Sequence, residues 1–358
     1  MSHTPDELLI GRRRVGRGQP TYIVAEMSGN HGRELDRAIR LVHAARDAGA
    51  DAVKLQTYTA DTLTIDCDSE CFVIGGSSPW AGRRLHDLYE EVHTPWEWQP
   101  VLKRLGEELG IEVFSTPFDP ASVDFLEREV GVQVYKIASF EVVDIDLLKY
   151  VAATRKPVIM STGMATLAEI DRAVHTLRAG GAPAVALLRC VSAYPARPEQ
   201  MNLATIPHLA QAFGCVAGLS DHSLSGAVAV AAVALGASIV EKHLTLSRAA
   251  GGPDAAFSLE PEEFKQMVAM IRETEAALGE VRYGVGVGEE GSVAFRRSLF
   301  VVEDIDRGEV FTRRNVRSIR PGHGLEPAEI YRVLGRVAIR DLKKGTPLSW
   351  ELVGEPKA

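Results

Sequence analysis

The stretch VYKIASFE, residues 134–141, has the apolar run of a buried β-strand, with a lysine at its centre and a serine just past it. A cation among β-branched and aliphatic neighbours costs about several kcal/mol unless an anion or hydrogen-bond partners compensate it. The same arrangement occurs at AVKLQT, residues 52–57, where Lys54 takes the central place. A fold that repeats this pattern gathers cations at one place, and the anion that compensates them is then the question.

Working outward from Lys136, β-rich runs alternate with helical patterns. YIVAEM (22–27), DAVKLQT (51–57), IEVFSTP (111–117), VQVYKIAS (132–139), KPVIMST (156–162), PAVALLRCV (183–191), CVAGLSD (215–221) and ASIVEKHLT (237–245) make eight strand candidates. Between them lie amphipathic helices such as residues 34–50, where Leu35, Ala38, Val42 and Ala45 share a face. Asp119 is placed to cap the helix before Lys136, and Thr166 with Glu169 has capping-box spacing. Eight strands separated by helical or loop crossovers predict a TIM (β/α)8 barrel, interrupted by a long irregular insertion at about 58–93. A doubly wound open sheet is the alternative, but it calls for a Gly-rich first turn, and EMSGNHG is not GxGxxG.

Past residue 281 the pattern changes. Residues 1–20 are assigned to an N-terminal extension, 21–281 to the barrel, 282–292 to a Gly-rich linker, and 293–358 to a small β-rich domain of short strands and turns. Such a domain is at the small end of what folds alone, which favours its leaning on a larger neighbour or a second subunit.

Composition narrows the function. The chain of 358 residues is 46% apolar and 25% charged, with a net charge of −8. It has no global basic field for nucleic acid or an anionic membrane, so any anion must be caught locally. The four cysteines show neither zinc-site spacing nor disulfide density, and no stretch has the length and apolarity of a membrane span. A cytoplasmic enzyme with no nucleic-acid or membrane partner is the expectation.

The polar residues fall where such a barrel builds its site. Glu26, Lys54, Gln56, Thr116, Lys136, Ser139, Ser161, Ser192, Tyr194, Ser220, Asp221, His222, Lys242 and His243 are all placed at the C-terminal ends of the eight strands. One polar residue at a strand end is an ordinary solvated turn, whereas eight strands ending so define a site. Two lysines and several hydroxyls can hold a phosphate and a carboxylate together. His222 and His243, from adjacent strands, could give two imidazoles to one divalent metal, although each by itself is more often structural. His31 lies in the first loop, within possible reach of the rim.

With these residues in hand, the segments YIVAEMSGNHG (22–32), DAVKLQTYTADTL (51–63), VFSTPFD (113–119), YKIAS (135–139), VIMSTGM (158–164), GLSDHS (218–223), EKHLT (241–245) and GGPDAAFSLEP (251–261) resemble, in order, the sialic acid synthase family. These enzymes condense phosphoenolpyruvate with an amino-sugar aldehyde. Residues 296–325 resemble the family's antifreeze-like SAF domain, and SPWAGRRLHDLYEEVHTPWEW (78–98) looks most like the pseudaminic acid synthase branch. The resemblance implies that Lys54 and Thr116 hold the phosphoenolpyruvate carboxylate and that Lys136, Ser139, Ser161 and Ser220 hold its phosphate. Ser192 stands where neuraminate synthases carry Asn. The resemblance also implies Glu26 as the catalytic carboxylate, and Gln56, Tyr194, Asp254 and Arg320 as sugar contacts. His222 and His243 become ligands of manganese, magnesium or cobalt. The SAF domain would cap the barrel of the other subunit in a domain-swapped homodimer.

Two other classes remain open at this point. An aldolase on the same barrel would need a Schiff-base lysine, which borohydride trapping would reveal. A non-catalytic sugar or phosphate carrier would have no use for Glu26.

Overall fold

The computed structural model describes residues 7–76 and 80–356, so Ser77, Ser78 and Pro79 of the insertion, the first six residues of the N-terminal extension and the last two of the chain lie outside it. The chain divides into two compact units at Gly279 and Glu280.

The first unit is a closed barrel of parallel strands. These are β3 (Tyr22–Glu26), β4 (Ala52–Thr57), β5 (Glu112–Pro117), β6 (Tyr135–Ile137), β7 (Val158–Ser161), β8 (Val185–Cys190), β9 (Val216–Asp221) and β10 (Ile239–His243). They pair in chain order, and β10 closes on β3 with Val240 beside Ile23 and His243 beside Glu26. The expected (β/α)8 barrel is therefore present. Its strands are mostly apolar and almost wholly buried, because one face lies in the lumen and the other under helices. Gly218 permits the tight β9–β10 approach: a Cβ there would lie 2.4 Å from the Ile239 carbonyl oxygen.

Both capping predictions hold. Asp119 accepts from the Ser122 amide at 2.9 Å, and Thr166 and Glu169 form a reciprocal capping box. The extension carries more structure than its polar composition predicts. Strands β1 (Glu7–Ile10) and β2 (Arg13–Gly16) form an antiparallel hairpin, and Leu8, Ile10 and Val15 join the apolar cluster of Tyr22 and Phe114. Arg13 of the hairpin pairs with Asp51, just before β4, so the hairpin lies against the N-terminal end of the barrel. The insertion, expected to be irregular, contains the helices Ala60–Leu63 and Leu85–Val92.

The second unit pairs β11 (Ser298–Val301) with β12 (Val316–Ile319) and β13 (Arg336–Ala338) with β14 (Val353–Pro356), all antiparallel. Its core is small: Leu299, Val301, Ile305, Phe311, Val316, Val333, Leu342, Leu348 and Leu352.

Candidate active site

Strand alternation decides what reaches the lumen. Along β4, β6, β9 and β10, every second side chain points inward near the C-terminal end. This brings Lys54 and Gln56, Lys136, Ser220 and His222, and Glu241 and His243 to one cavity of about 990 Å³. Glu26, Ser139, Ser161, Ser192, Tyr194 and Asp254 line it as well.

Thr116 does not line the cavity. It is buried behind it and touches it through Lys54, whose Nζ donates to Thr116 Oγ1 at 3.3 Å. Arg320 belongs to the second unit, is exposed, and is not among the lining residues. Lys242 and Asp221 are buried but face away from the cavity, since they alternate with the residues that line it. His31 does not reach the rim either. It is held under the first loop, its Nδ1 accepting from the Arg33 amide at 3.0 Å and its Nε2 lying 3.2 Å from Thr94 Oγ1.

The anion facing Lys136 is a carboxylate that sequence reading missed. Glu241 Oε1 lies 3.2 Å from Lys136 Nζ and 3.3 Å from Lys54 Nζ, and accepts from Ser220 Oγ at 3.3 Å. Glu26 Oε2 sits 2.8 Å from Lys54 Nζ, while its Oε1 accepts from Gln56 Nε2 at 3.0 Å. Lys136 thus has a counterion within the barrel, Glu241, beside any phosphate that the resemblance implies. The signal was available, because Glu241 lies two residues before His243 and so on the same strand face.

Burial and charge pull these four groups apart. Burial raises the Glu26 pKa, and Lys54 only partly offsets it. Burial acts the same way on Glu241, but Lys136 and Lys54 outweigh it and hold its pKa down at about 2. At Lys54 the two carboxylates overcome desolvation and the pKa rises. At Lys136 desolvation prevails over Glu241, helped by repulsion from Lys54, and the pKa falls. Two carboxylates driven in opposite directions give one group suited to exchanging a proton and one that remains a fixed charge.

Around them stand buried polar atoms with no hydrogen-bond partner among the described residues: Ser161 Oγ, Ser192 Oγ, Glu241 Oε2 and His243 Nδ1. Native proteins seldom leave such atoms unpaired, and a cluster of them in one cavity marks a place built for a ligand. Gly163, with φ +43°, lets the loop after β7 lie against this cluster, because a Cβ there would be 2.4 Å from Ser139 Cβ and 3.0 Å from Ser192 Oγ.

The imidazoles of His222 and His243 lie with ring centroids 5.3 Å apart. His222 Nδ1 donates to the Val191 carbonyl at 2.8 Å, which leaves Nε2 as the ring's acceptor in the neutral form. Burial holds the His243 pKa well below its ordinary value, so that ring too offers a lone pair. Burial alone would lower the His222 pKa as well, but its hydrogen bond to Cys190, the charge of that thiol and the Val191 carbonyl outweigh burial and raise it. In the neutral form the two imidazoles fit a divalent ion that takes its other ligands from substrate or water. Among the described residues no group of three or more His, Cys, Asp or Glu is gathered tightly enough to hold a metal alone.

The outer part of the cavity is apolar and comes largely from the insertion: Leu63, Ile74, Trp80, Leu85, Leu88 and Tyr89 line it. The Trp80 indole donates to the Pro253 carbonyl at 3.1 Å and packs on Tyr194, which stacks on His222 with centroids 4.4 Å apart. Sequence reading missed this wall and also Cys190, which lines the cavity beside His222.

A parallel barrel with paired lysines and carboxylates in a cavity at its C-terminal rim has the arrangement of a barrel enzyme's active site. The chain belongs to the NeuB family, whose pattern matches residues 41–283, and residues 296–353 match the SAF domain. It is 41% identical over 332 residues to the pseudaminic acid synthase of Helicobacter pylori, covering 92% of this chain and 97% of that one. To the N,N'-diacetyllegionaminic acid synthase of Legionella pneumophila it is 35% identical over 346 residues, 95% and 97% of the two chains. The solved N-acetylneuraminic acid synthetase of Leptospira borgpetersenii superposes with a TM-score of 0.72 at 31% identity, over 82% of this chain and 97% of that one.

Proposed function

We propose that this NeuB-family nonulosonic acid synthase condenses phosphoenolpyruvate with 2,4-diacetamido-2,4,6-trideoxy-L-altrose and water, giving pseudaminic acid and phosphate. The observation that carries the reading is the set of unpartnered buried polar atoms grouped around Lys54 and Lys136 at the base of a cavity with an apolar outer wall.

Lys54, supported from behind by Thr116, takes the phosphoenolpyruvate carboxylate. Lys136, Ser139, Ser161, Ser192 and Ser220 take its phosphate. An arriving phosphate competes with Glu241 for Lys136 and favours the charged ammonium that burial disfavours. Glu241 is the resident counterion that keeps both lysines soluble in the barrel between turnovers.

The enol carbon attacks the aldehyde carbon of the open-chain sugar, and positive charge develops at the phosphate-bearing carbon. Water adds there, and the tetrahedral intermediate loses phosphate by C–O cleavage. Glu26 exchanges the protons these steps require, with Gln56 fixing its carboxylate. His222 and His243 would hold a divalent ion, manganese, magnesium or cobalt, which when bound supplies Lewis-acid polarisation of a carbonyl oxygen. The remaining residues act by positioning and by fixed charge.

The sugar assignment rests on two features. The apolar wall suits a 6-deoxy, doubly acetamidated hexose better than the hydroxylated N-acetylmannosamine, a preference of about 1 to 3 kcal/mol. The similarity to the pseudaminic acid synthase of H. pylori, 41%, exceeds that to the legionaminic acid synthase of L. pneumophila, 35%. Phosphate release with phosphoenolpyruvate and each of three hexoses, the altrose derivative, its manno counterpart and N-acetylmannosamine, tests the reading. The expected result is the highest kcat/KM with the altrose derivative. A clear preference for either other sugar overturns the assignment, and no release with any of them overturns the synthase reading.

A further inference from the structure

Lys242 and Asp221 form an ion pair that the chemistry above does not use. Neighbours in register on β10 and β9, both have side chains at 0% exposure, and the Nζ–Oδ2 distance is 2.6 Å. All three ammonium hydrogens find acceptors, because Lys242 Nζ also donates to the Ser223 carbonyl and lies 3.3 Å from Ser223 Oγ. Asp221 Oδ1 in turn accepts from the Ser223 amide at 2.8 Å.

The pair thus grips the residue after His222 at its N–H, its C=O and its hydroxyl, while Asp221 is the residue before it. His222 is caught between. Its own carbonyl accepts from the Ala196 amide at 3.1 Å and its Nδ1 donates to Val191, so neither backbone nor ring has freedom to turn. His243, the residue after Lys242, is fixed on the same strand.

A fully buried ion pair seldom adds stability over an apolar pair of the same volume, because desolvation cancels most of the attraction. A geometric role explains better why one spans these two strands, directly behind Ser220, His222, Glu241 and His243. We propose that Lys242, Asp221 and Ser223 form a positioning clamp that sets the His222 and His243 imidazoles for a divalent ion. The inference rests on the reading of those imidazoles as an ion site. None of the three residues lines the cavity, and none is a catalytic residue.

The test is titration of the full-length, chelator-stripped protein with cobalt(II) alone, followed by calorimetry and visible absorption. A Lys242→Met, Asp221→Leu double variant removes both charges and approximates their volume, avoiding an unpaired buried ion. It should bind cobalt roughly 10- to 100-fold more weakly, with altered absorption bands, as loss of a second-layer contact does. A Lys103→Met, Glu112→Leu variant, which removes a pair at the N-terminal end of the barrel, should keep cobalt affinity whatever it does to Tm.

Wild-type affinity and spectrum in the double variant would overturn the clamp while leaving the ion site standing. If the wild type binds no cobalt, or His222→Ala binds it equally well, the ion site falls and the clamp's role with it. Should the double variant not fold, Asp221→Asn, which keeps its shape and one acceptor, should weaken cobalt about 3- to 10-fold. Unchanged affinity there would equally overturn the proposal.

Discussion

Glu26 and Gly163 show how one residue can control one property of the site. Glu26 is buried, its pKa is raised by desolvation, and it stands beside Lys54, one of the two lysines proposed to bind the anion, without taking the place of either. Glu26→Gln should therefore keep phosphoenolpyruvate binding, measured by calorimetry, and lose turnover by about 10²-fold or more. Turnover within a few-fold of wild type would remove Glu26 from the mechanism. Gly163 acts through shape. A methyl at its left-handed φ of +43° would press into Ser139 and Ser192, two of the hydroxyls assigned to the phosphate. Gly163→Ala should raise the phosphoenolpyruvate KM about 10-fold or more, because displacements near 1 Å at a site cost up to about 10²-fold. An unchanged KM would show that the phosphate does not sit against this loop.

At the scale of elements, the loop after β3 turns on one buried histidine. His31 packs edge-on to Trp98 at 5.6 Å and accepts from the Arg33 amide, a bond that protonation of Nδ1 breaks. Burial pushes its pKa down to about 4, helped by His93, Arg33 and Arg37. The unfolded chain, with a histidine near 6.5, then binds the proton first. Stability is fully present above pH 6.5 and is lost as pH falls toward 4, by about 3 kcal/mol. Urea titrations across that range should show a steeper acid loss for wild type than for His31→Gln, and parallel curves would mean that His31 charges freely in the fold.

The barrel was legible in the sequence because its strands are short, apolar and separated by capped helices, and YKIAS and EKHLT carried their polar residues at recognisable strand ends. Which of those residues face the lumen was not legible, because a one-residue shift in register reverses every side chain. Lys242 and Glu241 are adjacent, and reading the former toward the rim hid the latter. The hairpin Glu7–Gly16 was hidden by its arginines, of which Arg13 finds its partner, Asp51, far away in the chain. The insertion has no strand period, so its apolar residues could be assigned to the cavity wall only once the rim had been closed around them.

For the whole molecule the question is where Arg320 acts. Its loop is pinned within its own unit, where Ser298 Oγ donates to the Pro321 carbonyl at 2.7 Å and accepts from the Gly324 amide at 2.8 Å. The guanidinium makes no hydrogen bond or ion pair among the described residues. The segment leading to it exposes large apolar side chains: Val281 is 91% exposed, Tyr283 93%, Val287 86% and Phe295 66%. Such a run in water calls for a covering surface. A second copy of the chain would supply it if each SAF domain caps its partner's barrel and brings Arg320 to the partner's sugar, where a rigid donor fork suits hydroxyls and amide carbonyls. Arg320→Ala should then raise the sugar KM and leave phosphoenolpyruvate affinity nearly unchanged. Mixing the Glu26→Gln and Arg320→Ala proteins under subunit-exchange conditions, and assaying at a sugar concentration far below the raised KM so that neither turns over alone, discriminates trans from cis. In a mixed dimer one barrel has both defects, while the other keeps Glu26 and receives an intact arginine, so activity should return to about a quarter of wild type at random exchange. If mixed dimers form, as differently tagged chains would show, and no activity returns, the arginine acts within its own chain or not at all.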